Sequence, residues 1–212
     1  MNPKTQRVTW QGRSQSIEVS IDRPDNREAV GVAVISHPHP LFGGTMDNKV
    51  VQTIARAFLQ MGFITVRSNF RGVGLTSGEH DHGQGETEDK MDVVMHAVQT
   101  LLPATTEKKL ALGGFSFGAF VSSHLAQRLV EKNIAIEKLV LVGTACSRFE
   151  VADVPANTLV IHGETDDTVP IKSVFDWALP QDLPVIVLPG VDHFFHGKLN
   201  QLKDLIVRMY PL

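Results

Sequence analysis

The stretch that decides the fold runs from Lys109 to Lys132, KLALGGFSFGAFVSSHLAQRLVEK. Its first seven residues, Lys109 to Phe115, form a mostly apolar run of strand length. Residues 117–132 read as a helix. Between them lies Gly114-Phe115-Ser116-Phe117-Gly118, a G-x-S-x-G pattern with a strand before it and a helix after it. The junction demands a sharp turn with the serine at its tip in a strained backbone conformation. Side chains at 114 and 118 would clash with the neighbouring strand and helix, so glycine fills both positions. The helix N-terminus beneath Ser116 favours developing negative charge. Ser116 is therefore a candidate nucleophile. The bland alternative is a glycine-rich turn without chemistry.

Outward from this turn the chain alternates strands and helices. AVGVAVIS (29–36) is a continuous apolar run of the kind covered on both faces. Residues 49–62 carry helical apolar spacing and stop at Gly62. Residues 63–70 read as a strand, 71–86 as a long glycine-rich loop, and 87–102 as a helix ending before Pro103. Strands follow at 138–145, 157–164 and 183–190. Helices are expected at 171–179 and from about Gly197 to the end. The pattern predicts an α/β fold, a mostly parallel doubly wound sheet with helices on both faces. RVTWQGRSQSIEVSIDRP, from Arg7 to Pro24, alternates around a Gln-Gly break and predicts an antiparallel hairpin at one edge. The expectation is one domain over residues 1–212.

Bulk properties exclude several classes. The net charge of −3 over 212 residues is too mild for a nucleic-acid or anionic-membrane partner. Cys146 is the one cysteine, so no internal disulfide exists, and a reducing cytoplasm is the simple expectation. The first twelve residues are polar and lack an apolar signal core. No apolar run reaches bilayer length.

A serine hydroxyl is a weak nucleophile until a base takes its proton. On a G-x-S-x-G scaffold the acid and then the histidine follow at later strand exits. LVIHGETDDTVP leaves one exit with Asp166 and Asp167 in competition and Glu164 a weaker third. An aspartate there could orient an imidazole or cap the next helix. VLPGVDHFFHGKL leaves the last strand with His193, 27 residues after Asp166, and a rival in His196. Phe194 and Phe195 are expected to wall His193 from water.

Together HPHP (37–40), NFRGVG (69–74), GFSFG (114–118), HGETDDTVP (162–170) and DHFF (192–195) resemble the α/β-hydrolase superfamily, near its small lidless dienelactone-hydrolase-like bacterial members. The resemblance runs from about Ala29 to the C terminus. It implies a serine hydrolase with Ser116, Asp166 and His193 as nucleophile, acid and base. The family pattern H-G-x-x-D-x-x-V-P places the acid at Asp166. Dienelactone hydrolases proper carry cysteine where this chain has Ser116, which argues against that substrate. The 11 residues 146–156 are too short for a helical cap, so an open pocket is expected.

The stretch VISHPHPLFGG (34–44) resembles the family's H-G-x-P oxyanion motif, with Pro38 at the usual glycine. The oxyanion hole would then use the backbone N–H of Phe117 and of His39. Pro38 and Pro40 have no N–H, which leaves Leu41 as the second choice. His37 is expected to hold the loop, and Gly43-Gly44 to let the chain turn. Arg71 is expected to pair with Glu86 or Asp89, or else to contact an anionic substrate group. His80-Asp81-His82 reads as a solvated loop rather than a metal site, because no complete ligand set follows. RGVGLTSG (71–78) lacks the Lys-Ser/Thr ending of a phosphate-binding loop. Cys146 is expected to be a buried or half-buried thiol without redox function.

The implied activity is cleavage of a carboxylic ester or thioester, with no cofactor, no metal and a small-molecule substrate. Two alternatives stand beside it. One is a small peptidase or lactone hydrolase on the same machinery. The other is a catalytically idle binding protein. Oligomeric state is left open.

Overall fold

The structure, a computed structural model, describes residues 4–25, 27–103 and 109–210. Eight strands form one sheet: β1 (Gln6–Gln11), β2 (Ser16–Asp22), β3 (Gly31–Ser36), β4 (Phe63–Ser68), β5 (Lys109–Phe115), β6 (Lys138–Val142), β7 (Leu159–Gly163) and β8 (Val185–Leu188). Five helices join them: α1 (Lys49–Gln60), α2 (Gln84–Thr100), α3 (Phe117–Glu131), α4 (Ile171–Ala178) and α5 (Leu199–Met209). The last two residues of the helix expected to reach the C terminus lie outside the described residues. The spatial order is β1-β2-β4-β3-β5-β6-β7-β8. β3 to β8 run parallel, and the β1–β2 hairpin joins antiparallel to β4. This is the predicted sheet with its hairpin at the predicted edge.

Strand order reverses at β3: the chain places β4 on one side of it and β5 on the other. A crevice opens at such a switch point, beyond the carboxyl ends of the strands. Ser36 at the end of β3 stands level with Gly114 near the end of β5. The His37–Gly44 segment and the Ser116 turn therefore leave the sheet side by side.

Alternate residues of the buried strands feed two cores. Ala33, Ile35, Ala111 and Val140 pack with α1 and α5. Val32, Val34, Leu110, Leu112 and Leu139 pack with α2 and α3. The helices cover both faces because β3 to β6 bury nearly every residue. Asn48 caps α1, its Oδ1 accepting the Val50 N–H at 2.9 Å.

Several boundaries differ from expectation: β4 ends at Ser68 and β6 at Val142, two and three residues before their expected ends. α2 starts at Gln84, three residues before the expected Thr87, because the Glu86 carboxylate reaches back to the Gly83 N–H at 2.8 Å. A single turn of 3-10 helix over Pro40–Phe42 interrupts what composition suggested was plain loop. Between β6 and β7, residues 143–158 contain no helix, so no cap lies over the strand ends.

Lys90 on α2 is fully buried. Its ammonium donates to the Ser68 carbonyl at 2.9 Å and the Ser68 hydroxyl at 2.6 Å, and sits 4.8 Å above the Phe70 ring. It ties α2 to the end of β4. Burial pushes its pKa down to about 7. Between that value and its unfolded value of 10.5, the unfolded chain holds a proton that the native chain has released, so stability rises with pH in that window. Denaturant unfolding at pH 7 and pH 9 is expected to show wild type gaining stability relative to Lys90→Met. Parallel pH curves for the two proteins would refute the assignment.

Candidate active site

The β5–α3 turn holds Ser116 at φ 56°, ψ −119°, a conformation that costs a non-glycine residue on the order of 1–3 kcal/mol. Its N–H donates to the Val142 carbonyl at 2.9 Å, and its carbonyl accepts the Ala119 N–H at 2.9 Å. A Cβ at Gly114 would overlap the Gly118 carbonyl oxygen and sit 2.6 Å from Ala119 Cα. A Cβ at Gly118 would overlap the Ser36 carbonyl, where β3 ends. Both glycines therefore mark close backbone approaches, as their spacing implied.

Ser116 Oγ lies 3.1 Å from His193 Nε2, and His193 Nδ1 lies 2.6 Å from Asp166 Oδ2. With the Nδ1–H donating to the carboxylate, Nε2 is bare toward the serine hydroxyl. All three are buried. Asp166 Oδ1 accepts the N–H groups of Thr168 (3.0 Å) and Val169 (2.7 Å). Burial alone would raise the Asp166 pKa. The hydrogen bonds from His193 and the Val169 N–H, with the nearby imidazoles, outweigh it and hold the carboxyl below its usual range.

The rivals lie elsewhere. Asp167 is exposed and accepts the Thr168 hydroxyl. Glu164 accepts the Gly190 N–H at 2.8 Å. His196 is exposed and pairs with Asp192 at 2.6 Å. Neither aspartate caps α4, which begins after Pro170 without a side-chain cap. The wall around His193 also differs from expectation. Phe194 and Phe115 stand 5.1 and 4.9 Å from its ring, whereas Phe195 is buried in the core beside Leu202 and Ile206.

The β3 exit is held through its first histidine. His37 accepts the Phe70 N–H at Nε2 (2.8 Å), and its Nδ1–H donates to the Pro38 carbonyl (2.7 Å). Burial, then the charge of Lys90, lowers its pKa to about 3, so the ring is neutral. His39 Nδ1 accepts the Leu41 N–H at 3.3 Å. The N–H groups of Phe42 and Gly44 return to the His39 carbonyl. Among the described residues the N–H groups of His39 and Phe117 have no acceptor.

His80 is not solvated as its loop suggested. Its side chain is 7% exposed, its Nδ1–H donates to the fully buried Glu86 at 2.8 Å, and its ring lies 4.8 Å from His39 and 5.6 Å from Phe117. Arg71 forms a two-point pair with Asp89, both contacts 2.9 Å, and not with Glu86. Cys146 is half-buried, with its thiol pushed up to about 12 by burial. His162, fully buried on β7, donates from Nε2 to the Val169 carbonyl at 2.9 Å and lies 3.4 Å from Asp166 Oδ2. Its place in H-G-x-x-D was a visible signal of that contact. No sequence signal announced His80, whose partner is six residues away across a loop.

These residues open onto a cleft of about 390 Å³, lined by Ser116, His193, His39 and a set of phenylalanines, with Arg148 at its wall. Among the described residues no group of three His, Cys, Asp or Glu is placed to hold a metal ion, and no helix is long and apolar enough to cross a membrane.

The model of the family described as X-Pro dipeptidyl-peptidase (S15 family) matches residues 13–141, a span that includes Ser116 and ends before Asp166 and His193. An uncharacterized protein of Rickettsia prowazekii is 32% identical over 184 residues, 82% of this chain and 76% of that protein. An α/β serine hydrolase without a lid from Xanthomonas campestris superposes with a TM-score of 0.85 at 33% identity, covering 99% of this chain and 94% of the other. An α-β serine hydrolase homologue from Coxiella burnetii gives 0.84 at 36% identity, with 97% of each chain covered.

Gly118→Ala forces a Cβ into backbone that cannot yield as a side chain would. A loss of about 2 kcal/mol or more is expected in denaturant unfolding. An unchanged midpoint would show the β3–α3 approach to be looser than described.

Proposed function

The chain belongs to the family whose model is described as X-Pro dipeptidyl-peptidase (S15 family), within the α/β hydrolases, and on that premise we propose that this hydrolase cleaves a carboxylic ester or thioester through an acyl-enzyme on Ser116. The supporting observation is the unbroken chain from Ser116 Oγ through His193 to Asp166, at 3.1 and 2.6 Å.

Each residue then has a role. As Ser116 Oγ attacks the carbonyl carbon, its proton passes to His193 Nε2. Asp166 keeps the Nδ1 proton in place and balances the imidazolium. The tetrahedral oxyanion rests on the N–H groups of Phe117 and His39, whose lack of another acceptor leaves them free for it. His193 then gives its proton to the departing oxygen or sulfur. Water attacks the acyl-enzyme with its proton going to Nε2, then the bond to Ser116 Oγ breaks, His193 returns the proton to that oxygen, and the carboxylic acid departs. The open cleft suits short or solvent-facing esters.

The family match favours a second reading, a peptidase. A dipeptidyl-peptidase must hold a free α-ammonium, and the cleft lining contains no Asp or Glu to receive it. That absence favours the ester. A panel of esters, thioesters, lactones and aminoacyl amides separates the readings by product.

Ser116→Ala is expected to abolish labelling by a fluorophosphonate, and labelling as strong as wild type would remove Ser116 from its role. Asp166→Asn should lower kcat/KM by about 10³–10⁴-fold, while Asp167→Asn stays within about two-fold because its carboxylate faces solvent. The reverse order would reassign the acid.

A further inference from the structure

We infer that the substrate carries a negative charge and that Arg148 receives it. The inference rests on the serine-hydrolase reading and names the substrate class it leaves open.

Arg148 is the one Lys, Arg, Asp or Glu among the residues lining the Ser116 cleft. Its backbone is fixed: the N–H groups of Arg148 and Phe149 both return to the Ala145 carbonyl, at 3.2 and 3.1 Å. Phe149 is anchored in turn, stacked on Phe120 at 4.9 Å and set edge-on to Phe117 at 5.2 Å. The turn therefore presents the guanidinium from a rigid base. Among the described residues no carboxylate lies within ion-pair distance of it. Arg7, Arg13, Arg67 and Arg71 each have such a partner, whereas among the described residues Arg23, Arg27, Arg56, Arg128 and Arg208 do not; what sets Arg148 apart is its place on the Ser116 cleft. The guanidinium's field reaches His39, where it adds to the groups that lower the imidazole pKa after burial and His80.

Arg148 is exposed, and a cation carried on a held turn at the wall of a largely apolar cleft selects by charge. Phe42, Phe117, Phe149 and Phe194 offer apolar faces, while the guanidinium fork matches a carboxylate in two contacts. The ligand that fits is an ester or thioester with an apolar body and an anionic group. A cationic substrate is disfavoured by the same charge.

Two pairs of probes test this. 4-Acetoxybenzoate and its methyl ester place or remove a charge on the leaving limb. Mono-4-nitrophenyl suberate and its methyl ester do so on the acyl limb. In at least one pair, kcat/KM is expected to favour the anion by about five- to ten-fold, less at high salt. In Arg148→Gln that ratio is expected to fall below about two. A folding defect would lower both members of a pair and leave their ratio intact. No preference for the anion in wild type, or a preference that survives Arg148→Gln, overturns the inference while the hydrolase reading stands. The Ser116→Ala protein, titrated calorimetrically with the same four compounds, reads the preference without chemistry. If wild type cleaves none of them and no fluorophosphonate labels it, the hydrolase reading fails. The calorimetric ratio then decides the inference alone, equal affinities within both pairs overturning it.

Discussion

The site depends on one steric constraint, the approach of the β5–α3 turn to the end of β3. Ser116 can hold its unfavourable φ only because its neighbours leave no alternative. Its N–H is taken by β6 and its carbonyl by the first turn of α3. Gly114 and Gly118 let backbone meet backbone on either side. The strain, on the order of 1–3 kcal/mol, is carried by parallel pairing of β3, β5 and β6 in fixed register. Relaxing the turn would mean separating strands buried on both faces. The serine hydroxyl is thereby lifted above the sheet at the point where strand order reverses.

Beneath that rim lies a polar layer that sets the remaining geometry. The ends of β3 and β4 expose carbonyls with no further strand residues to bond them. Lys90 meets the Ser68 carbonyl, and His37 bridges the Phe70 N–H to the Pro38 carbonyl. Burial, aided by the neighbouring lysine, keeps that histidine neutral, which leaves Nε2 able to accept. The loop bearing His39 is thus fixed by groups that never touch the cleft. At β7 the same logic holds. Asp166 spends one oxygen on two backbone N–H groups and turns the other toward His193. A carboxylate pinned in this way stays ionised although buried, because each charge-favouring contact is already formed before substrate arrives.

What could be read from the residues was whatever depends on local spacing. Gly114-x-Ser116-x-Gly118 needs five residues and two flanking elements, all contiguous, and the structure follows it closely. Strand and helix existence was equally legible, since buried parallel strands leave continuous apolar runs. Contacts closed across space were not. Asp166 and Asp167 are chemically alike and adjacent; what separates them is which way a turn faces, so composition left them level and only the H-G-x-x-D resemblance favoured Asp166. Phe194 and Phe195 exchange wall and core by the same one-residue parity. Arg71 required a choice between Glu86 and Asp89, both on α2 and three residues apart. The actual partner is the one whose helix face meets Arg71, while Glu86 is consumed by His80 and the helix start. The burial of Lys90 follows from strand ends that no window around residue 90 contains.

Absence of a helix between β6 and β7 shifts the burden of selection onto the turns at the rim. A capped enzyme can enclose its substrate and discriminate by shape on every side. Here residues 143–158 form neither helix nor strand, and enclosure is limited to the side chains around Ser116, four phenylalanines among them. Such walls reward apolar surface of almost any outline, so shape alone separates substrates weakly. Charge does so more sharply, since one unpaired guanidinium acts with opposite sign on an anion and a cation at the same distance. Because the cleft is open, solvent and salt screen that field, and its effect is graded rather than absolute. In such a site the turn after β6 takes over part of what a lid would do, through a charge rather than a moving wall.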